Sequence, residues 1–358
     1  MPAVIKYVRD VIKSLQKDDN FQVSLWLTNY KNHMINNGMD VYSCNYKVAN
    51  IKQVLSLTEQ CDIRKIRGRE ALAIATLLPK VPANFHKKRE FNGFDAVQAI
   101  SVNKGLNEPV LAKATVRGKI QDTSSFFKYL TQLEVTDINP FQGLKVRGQG
   151  KEHDRFPLTD EQLSSWFNLK WYKIGKSRSP YYYWVPLLLR YTGARLNEIC
   201  QLLTVDVFER KGIWFIKIRC ISEGQVLKTT NAERLIPVSN ELIRLGFIEF
   251  VQSSKGCLFP ELPLVRGRKS PNATKWSSYW RKKLGLGRGY DLHSLRHNFI
   301  DELKNSGVPE EVAAKVVGHN HHAFTYSTYG HQYTVETLLD CINKIDTSFT
   351  QHVTPYKN

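Results

Sequence analysis

Two arginines, two histidines and a tyrosine have the residue types and the spacing for chemistry on a phosphate ester. His293 and Arg296 form a His-x-x-Arg pair, and His319 directly follows a glycine. Tyr329 comes ten residues after His319, and Arg195 lies upstream, just after a Thr-Gly pair. Together these five side chains supply fixed positive charge, proton acceptors and a hydroxyl nucleophile.

A phosphodiester resists attack because its oxygens repel an anionic nucleophile, and its transition state carries added negative charge. Arg195 and Arg296 answer this need, since guanidinium groups are always charged and bind oxygen pairs in a bidentate manner. Losing one such contact costs ~3–4 kcal/mol, a hundred- to thousandfold in rate. His293 and His319 would add hydrogen bonds to the phosphate, and His293 would also act as general base.

Tyr329 is the nucleophile in this scheme. A free tyrosine has a pKa near ~10, so a base and cationic surroundings must activate it at neutral pH. Attack by its hydroxyl would leave a covalent phosphotyrosine and a free hydroxyl on the other strand end. That bond conserves the phosphodiester energy, so the reaction needs no ATP.

The order of these motifs resembles the tyrosine recombinase (phage integrase) family. Four pieces of sequence carry the resemblance, and they span roughly residues 155 to 335: Thr192-Gly193-Ala194-Arg195-Leu196-Asn197-Glu198-Ile199, Leu292-His293-Ser294-Leu295-Arg296-His297, Gly318-His319 and Tyr329-Gly330-His331. Each piece alone is a weak signal, but all four in order make a specific one. The resemblance implies a 3′-phosphotyrosine, a 5′-hydroxyl and His331 near the nucleophile.

Lys228 is the candidate general acid for the leaving 5′ oxygen. The family places a lysine in a β-hairpin turn before an Arg-x-x-Pro segment, which here is Arg234 to Pro237. A solvated or phosphate-binding lysine is the alternative. Glu198 would orient Arg195 from one helical turn away, or it is an ordinary surface acid. The arginines take the place of a metal, so the sequence predicts neither a metal site nor a cofactor.

The position of the nucleophile departs from the common family pattern. In many members the tyrosine lies nine residues after the second histidine, whereas Tyr329 lies ten residues after His319. Tyr326, at seven, is therefore an alternative nucleophile, and Tyr333 is a third. We favour Tyr329 because Tyr-Gly-His matches the Tyr-x-His of the family.

The composition points to a polyanionic partner. The 358 residues carry a formal net charge of +18, and 42% are hydrophobic, which is enough for packed cores. Such a charge favours nucleic acid over a merely basic protein. The six cysteines form no C-x-x-C pair, which argues against a zinc site or a disulfide framework and fits the cytoplasm. The start of the chain lacks a signal-peptide pattern, and no apolar run approaches the ~20 residues of a membrane span.

The predicted fold is mainly α-helical with a small antiparallel β-sheet. Composition and resemblance together divide the chain into five segments. They are a helical N-terminal extension (1–60), a core-binding (SAM-like helical) domain (61–148), a polar linker (149–157), a catalytic domain (158–346) and a frayed tail (347–358). Two apolar stripes fall in the first segment, one from Val4 to Leu15 and one from Leu25 to Tyr30.

Local signals place several elements of the catalytic domain. Thr159 and Gln162 form a capping-box pattern that opens a helix. The segment 181–190 predicts a buried helix, and 276–284 a further one. Strands are expected at 213–218 and 234–238, with 225–228 completing a small sheet that has Lys228 near a turn. A final amphipathic helix after Tyr329 packs on its own domain or, as the family implies, docks on a neighbouring subunit.

Six basic residues are candidate contacts to DNA phosphates. Four lie in the core-binding segment and two in the proline-broken loop 77–94: Lys113, Arg117, Lys119, Lys128, Lys87 and Lys88. For each of them a solvated surface position is the alternative. The core-binding segment ends in Asn-Pro-x-x-Gly-Leu, from Asn139 to Leu144, as in the family.

These observations predict a site-specific DNA recombinase, an integrase of a phage or another mobile element. The resemblance implies double-stranded DNA with attachment or core sites as the partner, a tetramer on DNA and an accessory directionality or host bending protein. The alternatives are a chromosome-dimer resolvase, a relaxing topoisomerase of the same chemistry and a DNA-binding relative without catalysis.

Overall fold

The computed structural model describes residues 21–145, 155–222, 224–227, 233–318 and 333–357. The chain forms two compact units, Met1–His153 and Asp154–Asn358. Both are built mainly from helices, and the described part of the second contains one three-stranded antiparallel sheet, so the predicted fold class is confirmed. Among the described residues, no helix combines the length and apolar character that a bilayer crossing requires.

Unit 1 is helical. Its α-helices are α1 Val23–Asn36, α2 Val41–Leu55, α3 Gly68–Leu77, α4 Ala96–Leu106 and α5 Lys113–Gln132. Short 3-10 turns lie at Ile63–Lys65, Leu78–Lys80, Phe85–Lys87 and Arg89–Phe91. Caps fix several helix starts: the Asp40 carboxylate accepts the N–H of Ser43, and Asp95 accepts that of Gln98.

One hydrophobic core runs through the described part of unit 1. Trp26 of α1, Ile51 of α2 and Phe126 of α5 are all buried in it. The predicted boundary near residue 60 therefore does not divide this core, because α1 and α2 pack into it together with α5. The first stripe, from Val4 to Leu15, lies outside the described residues.

The segment 77–94, expected to be a loop or linker, is anchored in the core of unit 1. It runs through consecutive 3-10 turns, and its apolar side chains Leu78, Phe85 and Phe91 are buried. Its prolines exclude a long α-helix, while the aromatic side chains hold it in place.

Unit 2 contains the remaining helices and the sheet. Its helices are α6 Asp160–Phe167, α7 Lys170–Ile174, α8 Pro180–Thr192, α9 Leu196–Cys200, α10 Asn240–Arg244, α11 Phe247–Ser253, α12 Ser270–Lys283, α13 Leu292–Asn305, α14 Glu310–Val317 and α15 Val335–Asn343. Its strands are β1 Val207–Arg210, β2 Ile213–Ile218 and β3 Arg234–Pro237, in the order β1-β2-β3.

The sheet differs from its prediction in one strand. β2 and β3 lie where the sequence placed them, with Ile216 opposite Ile236. The third strand is β1, which pairs with β2 through Phe208 opposite Phe215, whereas the described residues 225–227 are not in a strand. Gln225 instead caps a turn, its side-chain oxygen accepting the N–H of Ile221 at 2.9 Å.

The helix signals of unit 2 are confirmed. The Thr159 hydroxyl accepts the N–H of Gln162, whose side chain accepts the N–H of Thr159, so α6 opens on the predicted capping box. α8 covers the predicted buried segment, and α12 begins six residues before the predicted Trp276. In α15, Leu338 and Ile342 lie in the core of its own unit, as the first of the two interpretations expected.

The C-terminal residues 347–357 are packed and not frayed, which corrects the predicted tail. Val353 is 2% exposed. The backbone N–H of Thr354 donates to the carbonyl of Tyr172 at 2.9 Å. The segment therefore forms a strap across unit 2, held by apolar burial and backbone hydrogen bonds that sequence spacing does not reveal.

Candidate active site

A tight turn after α8 positions both predicted phosphate-binding arginines. Gly193 ends the helix with φ +59°, and a Cβ there would lie 2.3 Å from Cδ1 of Phe299, so glycine is required twice over. The carbonyl of Gly193 accepts a hydrogen bond from Nη1 of Arg296 on α13. Arg195 follows two residues later, at the start of α9. One turn thus holds Arg296 directly and delivers Arg195 beside it.

Glu198 joins two arginines into a buried network. Its carboxylate accepts Nη1 of Arg195 at 2.8 Å and Nη2 of Arg234 at 2.7 Å, and also the backbone N–H of Arg195 at 2.9 Å. Glu198 is 3% exposed, so it is not the surface acid of the alternative interpretation. Its contacts instead fix the orientation of Arg195.

Arg234 ties the sheet to the end of α14. Its Nε donates to the carbonyl of Val316 at 2.7 Å, and a Cβ on Gly318 would lie 2.7 Å from its Nη1. The carbonyl of Gly318 accepts Nη2 of Arg195 at 2.9 Å. The guanidinium groups of Arg195 and Arg234 thereby hold together β3, α9 and the residue before His319.

The arginine cluster, defined as Arg195, Arg234, Arg296 and Glu198, carries an excess of two positive charges. Burial and the neighbouring Arg195 and Arg234 lower the pKa of Arg296 to about 10, so it remains charged at neutral pH. Burial alone would raise the pKa of Glu198, but the adjacent guanidinium groups of Arg234 and Arg195 hold it below its usual value. A buried excess of positive charge favours an anion at this place.

His293 lies in the first turn of α13, where its backbone N–H donates to Asp291 at 2.7 Å. Burial lowers the pKa of its imidazole, and the positive charges of Arg155 and Arg296 lower it further against the opposing effect of Asp291. The ring is therefore neutral at pH 7, which is the state that a general base requires.

Three predicted site residues, Lys228, His319 and Tyr329, lie outside the described residues, as do Tyr326 and His331. Their described neighbours in sequence are tied to the site. The N–H of Val226, two residues before Lys228, donates to the side chain of Gln201 at 3.0 Å, just past α9. Gly318, which precedes His319, binds Arg195.

Tyr333, the third candidate nucleophile, is placed unfavourably for attack. Its hydroxyl donates to Oε1 of Glu311 at 3.0 Å. Partial desolvation and this carboxylate raise the pKa of the phenol, which is opposite to what a nucleophile needs.

The candidate DNA contacts of unit 1 are divided by helix geometry. At 3.6 residues per turn, Lys113, Arg117 and Lys128 fall within about 60° around the axis of α5, and all three are exposed. Lys119 lies about 180° from Lys128 and is buried. Its ammonium donates to Oδ1 of Asn50 at 2.6 Å, and burial lowers its pKa. Lys119 is therefore an interior residue, which corrects its placement among the phosphate contacts.

The two loop lysines also differ. Lys87 is exposed, while Lys88 is partly buried and forms an ion pair with Glu108. That pairing reduces the charge which Lys88 offers to a phosphate.

Within the described ranges, no group of three or more His, Cys, Asp or Glu side chains is arranged to hold a metal ion.

Arg234 is the site residue that the sequence did not single out. It entered only as the first residue of the Arg-x-x-Pro segment, because one sequence does not show that its guanidinium is buried. The available signal was an arginine at the start of an apolar strand, a position that is buried only with an acidic partner.

Comparison with known proteins identifies the family of this chain. The family model described as "Phage integrase family" matches residues 158–336. Transposase B from transposon PsiTn554 of Staphylococcus aureus is 24% identical over 253 residues, covering 67% of this chain but only 38% of that protein. A tyrosine recombinase of Pseudothermotoga lettingae is 27% identical over 244 residues, covering 67% of this chain and 76% of its own.

Solved structures share the fold. The Tn1549 transposon integrase in complex with a circular intermediate DNA aligns with a TM-score of 0.58 at 17% identity, covering 87% of this chain and 96% of that one. A lambda integrase tetramer bound to a Holliday junction aligns with a TM-score of 0.54 at 15% identity, covering 88% and 82%. With the family model matching half of its length, this chain belongs to the phage integrase family of tyrosine recombinases.

Proposed function

We propose that the chain is a site-specific tyrosine recombinase that cleaves and rejoins DNA through a covalent 3′-phosphotyrosine, and that it integrates or excises a mobile element. The observation that carries the proposal is the arginine cluster, a buried excess of positive charge beside the neutral His293. The transposon relative supports the assignment to a mobile element, with a chromosome-dimer resolvase as the alternative.

In the proposed mechanism Arg195 and Arg296 bind the non-bridging oxygens of the scissile phosphate. Because Glu198 and the Gly193 carbonyl already hold them, little reorganisation accompanies the growth of charge in the transition state. The neutral imidazole of His293 accepts the phenolic proton as the oxygen of Tyr329 attacks phosphorus.

The leaving group completes the first step. The bond between phosphorus and the 5′ oxygen breaks, and we assign Lys228 as the acid that protonates this oxygen. His319 adds a hydrogen bond to the phosphate. In the reverse direction, a 5′-hydroxyl attacks the phosphotyrosine and its proton passes back to Lys228. The bond between phosphorus and the Tyr329 oxygen breaks, and protonated His293 returns its proton to that oxygen.

Unit 1, which includes the predicted core-binding domain, would serve as a DNA-binding clamp. Lys113, Arg117 and Lys128 form a strip ~22 Å long on one face of α5, at 1.5 Å per residue. This length suits contact with several phosphates of a duplex. The proposal also includes double-stranded attachment or core sites as the DNA partner, a tetramer on DNA and an accessory directionality or bending protein. It further includes a cytoplasmic location.

A suicide-substrate assay tests the proposal. Nicked duplexes from the ends of the element trap the covalent adduct, because the short strand beyond the nick diffuses away after cleavage. Wild type, Tyr329→Phe and Tyr326→Phe are compared, with Tyr333→Phe as a matched control. We expect an adduct in wild type, Tyr326→Phe and Tyr333→Phe, and none in Tyr329→Phe.

Two other results would change the proposal. Loss of the adduct only in Tyr326→Phe would keep the chemistry and replace the nucleophile. Specific binding without an adduct in any protein would favour the alternative of a DNA-binding relative that lacks catalysis.

A further inference from the structure

A groove of about 960 Å³ lies on unit 2 between α7, the start of α8 and α12. The arginine cluster is built instead around the opposite end of α8. None of the residues that line the groove belongs to the arginine cluster or to the predicted DNA contacts. The groove is therefore a separate feature of the surface.

Aromatic rings form the wall of the groove. Tyr182 and Trp276 stack face to face, with centroids 4.7 Å apart and planes 7° from parallel. Trp280 meets Trp171 edge-on at 4.9 Å. Tyr279, on the same helix as Trp276 and Trp280, leaves 53% of its surface exposed. Trp171 and Trp276 are buried, so the rings that an occupant of the groove can reach are those of Tyr182, Tyr279 and Trp280.

The rim of the groove is positively charged. Lys170, Lys176, Arg178 and Lys275 line it and are exposed, and the described residues that line it include no carboxylate. The occupant with matching chemistry carries repeated negative charge and flat rings. Because the rim is positively charged, an apolar peptide or a peptide without acidic side chains is a poor match for this groove.

Bases in a duplex are stacked on one another, so aromatic side chains reach base faces only in unpaired strands. Single-stranded nucleic acid combines such bases with a phosphate at every step.

The distance to the arginine cluster matches a short length of strand. From Tyr182 to Thr192, α8 rises ~15 Å at 1.5 Å per residue. A fully stacked strand rises ~3.4 Å per nucleotide and an unstacked strand rises more, so at most four or five nucleotides span this distance. α12 starts near the same cluster, since the N–H of Ser270 donates to Asn197 at 3.2 Å, two residues after Arg195.

We propose that this groove binds unpaired DNA, stacking bases on the aromatic wall and holding phosphates at the lysine and arginine rim. Such a site would hold a few nucleotides released from the duplex near the cleavage position. It goes beyond the assignment of the catalytic residues and requires no covalent step.

The test is an equilibrium titration of the full chain with fluorescently labelled dT12, read by anisotropy. An abasic 12-mer with the same phosphates and a 12-base-pair duplex are the competitors. Tyr279→Ala removes the exposed ring and Tyr279→Phe retains it, while Tyr46→Ala removes an exposed tyrosine of unit 1. Lys275→Gln tests the rim, with Lys255→Gln as the matched exposed lysine.

We expect dT12 to bind at least tenfold more tightly than the abasic strand, since stacking on aromatic side chains contributes to single-strand affinity base by base. Tyr279→Ala should weaken dT12 binding about tenfold, and Lys275→Gln severalfold. Tyr279→Phe, Tyr46→Ala and Lys255→Gln should bind as wild type does.

Equal affinity for dT12 and the abasic strand, or unchanged binding by Tyr279→Ala, would overturn the proposal. Binding of a proline-rich peptide without base-dependent DNA binding would overturn it too, by identifying a protein-binding groove. Because the titration needs no cleavage, its outcome is independent of whether Tyr329 forms an adduct.

Discussion

At the residue scale, the two arginines proposed to bind the phosphate are held in position by the protein itself. Arg195 is bound by Glu198 and by the carbonyl of Gly318, and Arg296 by the carbonyl of Gly193. Each side chain has lost its conformational freedom on folding, so ordering it costs little when the phosphate binds. We therefore expect a substitution of Arg195 to affect the rate more than the folding.

Arg195→Ala should reduce the rate of adduct formation a hundred- to thousandfold, because one preorganised cation at the phosphate is lost. Glu198 keeps Arg234 as a partner, so the unit should remain folded. Suicide-substrate kinetics measure the rate and circular dichroism the fold. Arg210→Ala, an exposed arginine of β1, is the control. A loss below tenfold would remove Arg195 from the phosphate.

The pH dependence of cleavage should report His293. A general base acts when neutral, so the rate falls as pH drops through its pKa. Burial and nearby positive charge hold that pKa below the usual value of about 6.5. We expect adduct formation to stay constant from pH 8 to 6.5 and to decline at lower pH. In His293→Gln the slower reaction should lose this decline. An inflection above pH 6.5 would contradict the role.

At the element scale, the Glu198 carboxylate connects α9 to β3, and Arg234 connects β3 to the end of α14. The charges of Glu198 and Arg234 are both buried, so each one is stabilised by the other. Sequence motifs single out the arginines proposed to bind the phosphate, whereas the pairing of Arg234 with Glu198 is seen only in the folded structure, where three elements meet.

Arg234→Met should destabilise unit 2 by ~3 kcal/mol or more, because Arg234, unlike the partly exposed Arg195, is the buried partner of Glu198 and also binds the carbonyl of Val316. The double variant Arg234→Met with Glu198→Gln should lose less than the sum of the single variants. Urea unfolding followed by circular dichroism measures both. Additive losses would show that the ion pair contributes nothing to the fold.

The C-terminal strap is the second element whose role is structural. Val353→Ala should lower the free energy of unfolding by about 2 kcal/mol, since its side chain is nearly completely buried. The neighbouring Gln351→Ala, at an exposed position, should leave it unchanged. Thermal unfolding compares the two. Equal stability of both variants would indicate a strap that is open in solution.

At the scale of the whole molecule, the charge of +18 should govern DNA affinity. Logarithmic plots of affinity against salt should be steep, with a slope near −0.9 for each phosphate neutralised. Lys113→Gln and Lys128→Gln should each reduce that slope by about 1. Lys52→Gln, an exposed lysine of α2, serves for comparison. If the slope is unchanged in both Lys113→Gln and Lys128→Gln, the duplex does not contact this face of α5.

Much of the architecture was predictable because it rests on local rules. The Thr159 capping box, the buried α8, strands β2 and β3 and the glycine turn at 193 were each specified by adjacent residues. The missed strand β1 had its own signal, a two-residue turn at Lys211 and Gly212, both with positive φ. Such a turn is typical of a tight hairpin, although lysine is an unusual residue for it.

The sequence by itself determined the family, the fold class and the candidate catalytic residues, because motif order and hydrophobic periodicity are properties of the chain. Only the tertiary structure decided that Lys119 is interior, that Arg234 supports the site, that residues 347–357 are packed and that an aromatic groove forms between α7, α8 and α12. Each of these depends on contacts between residues distant in sequence. Burial and charge pairing arise from such contacts, and the local pattern of one sequence does not contain them.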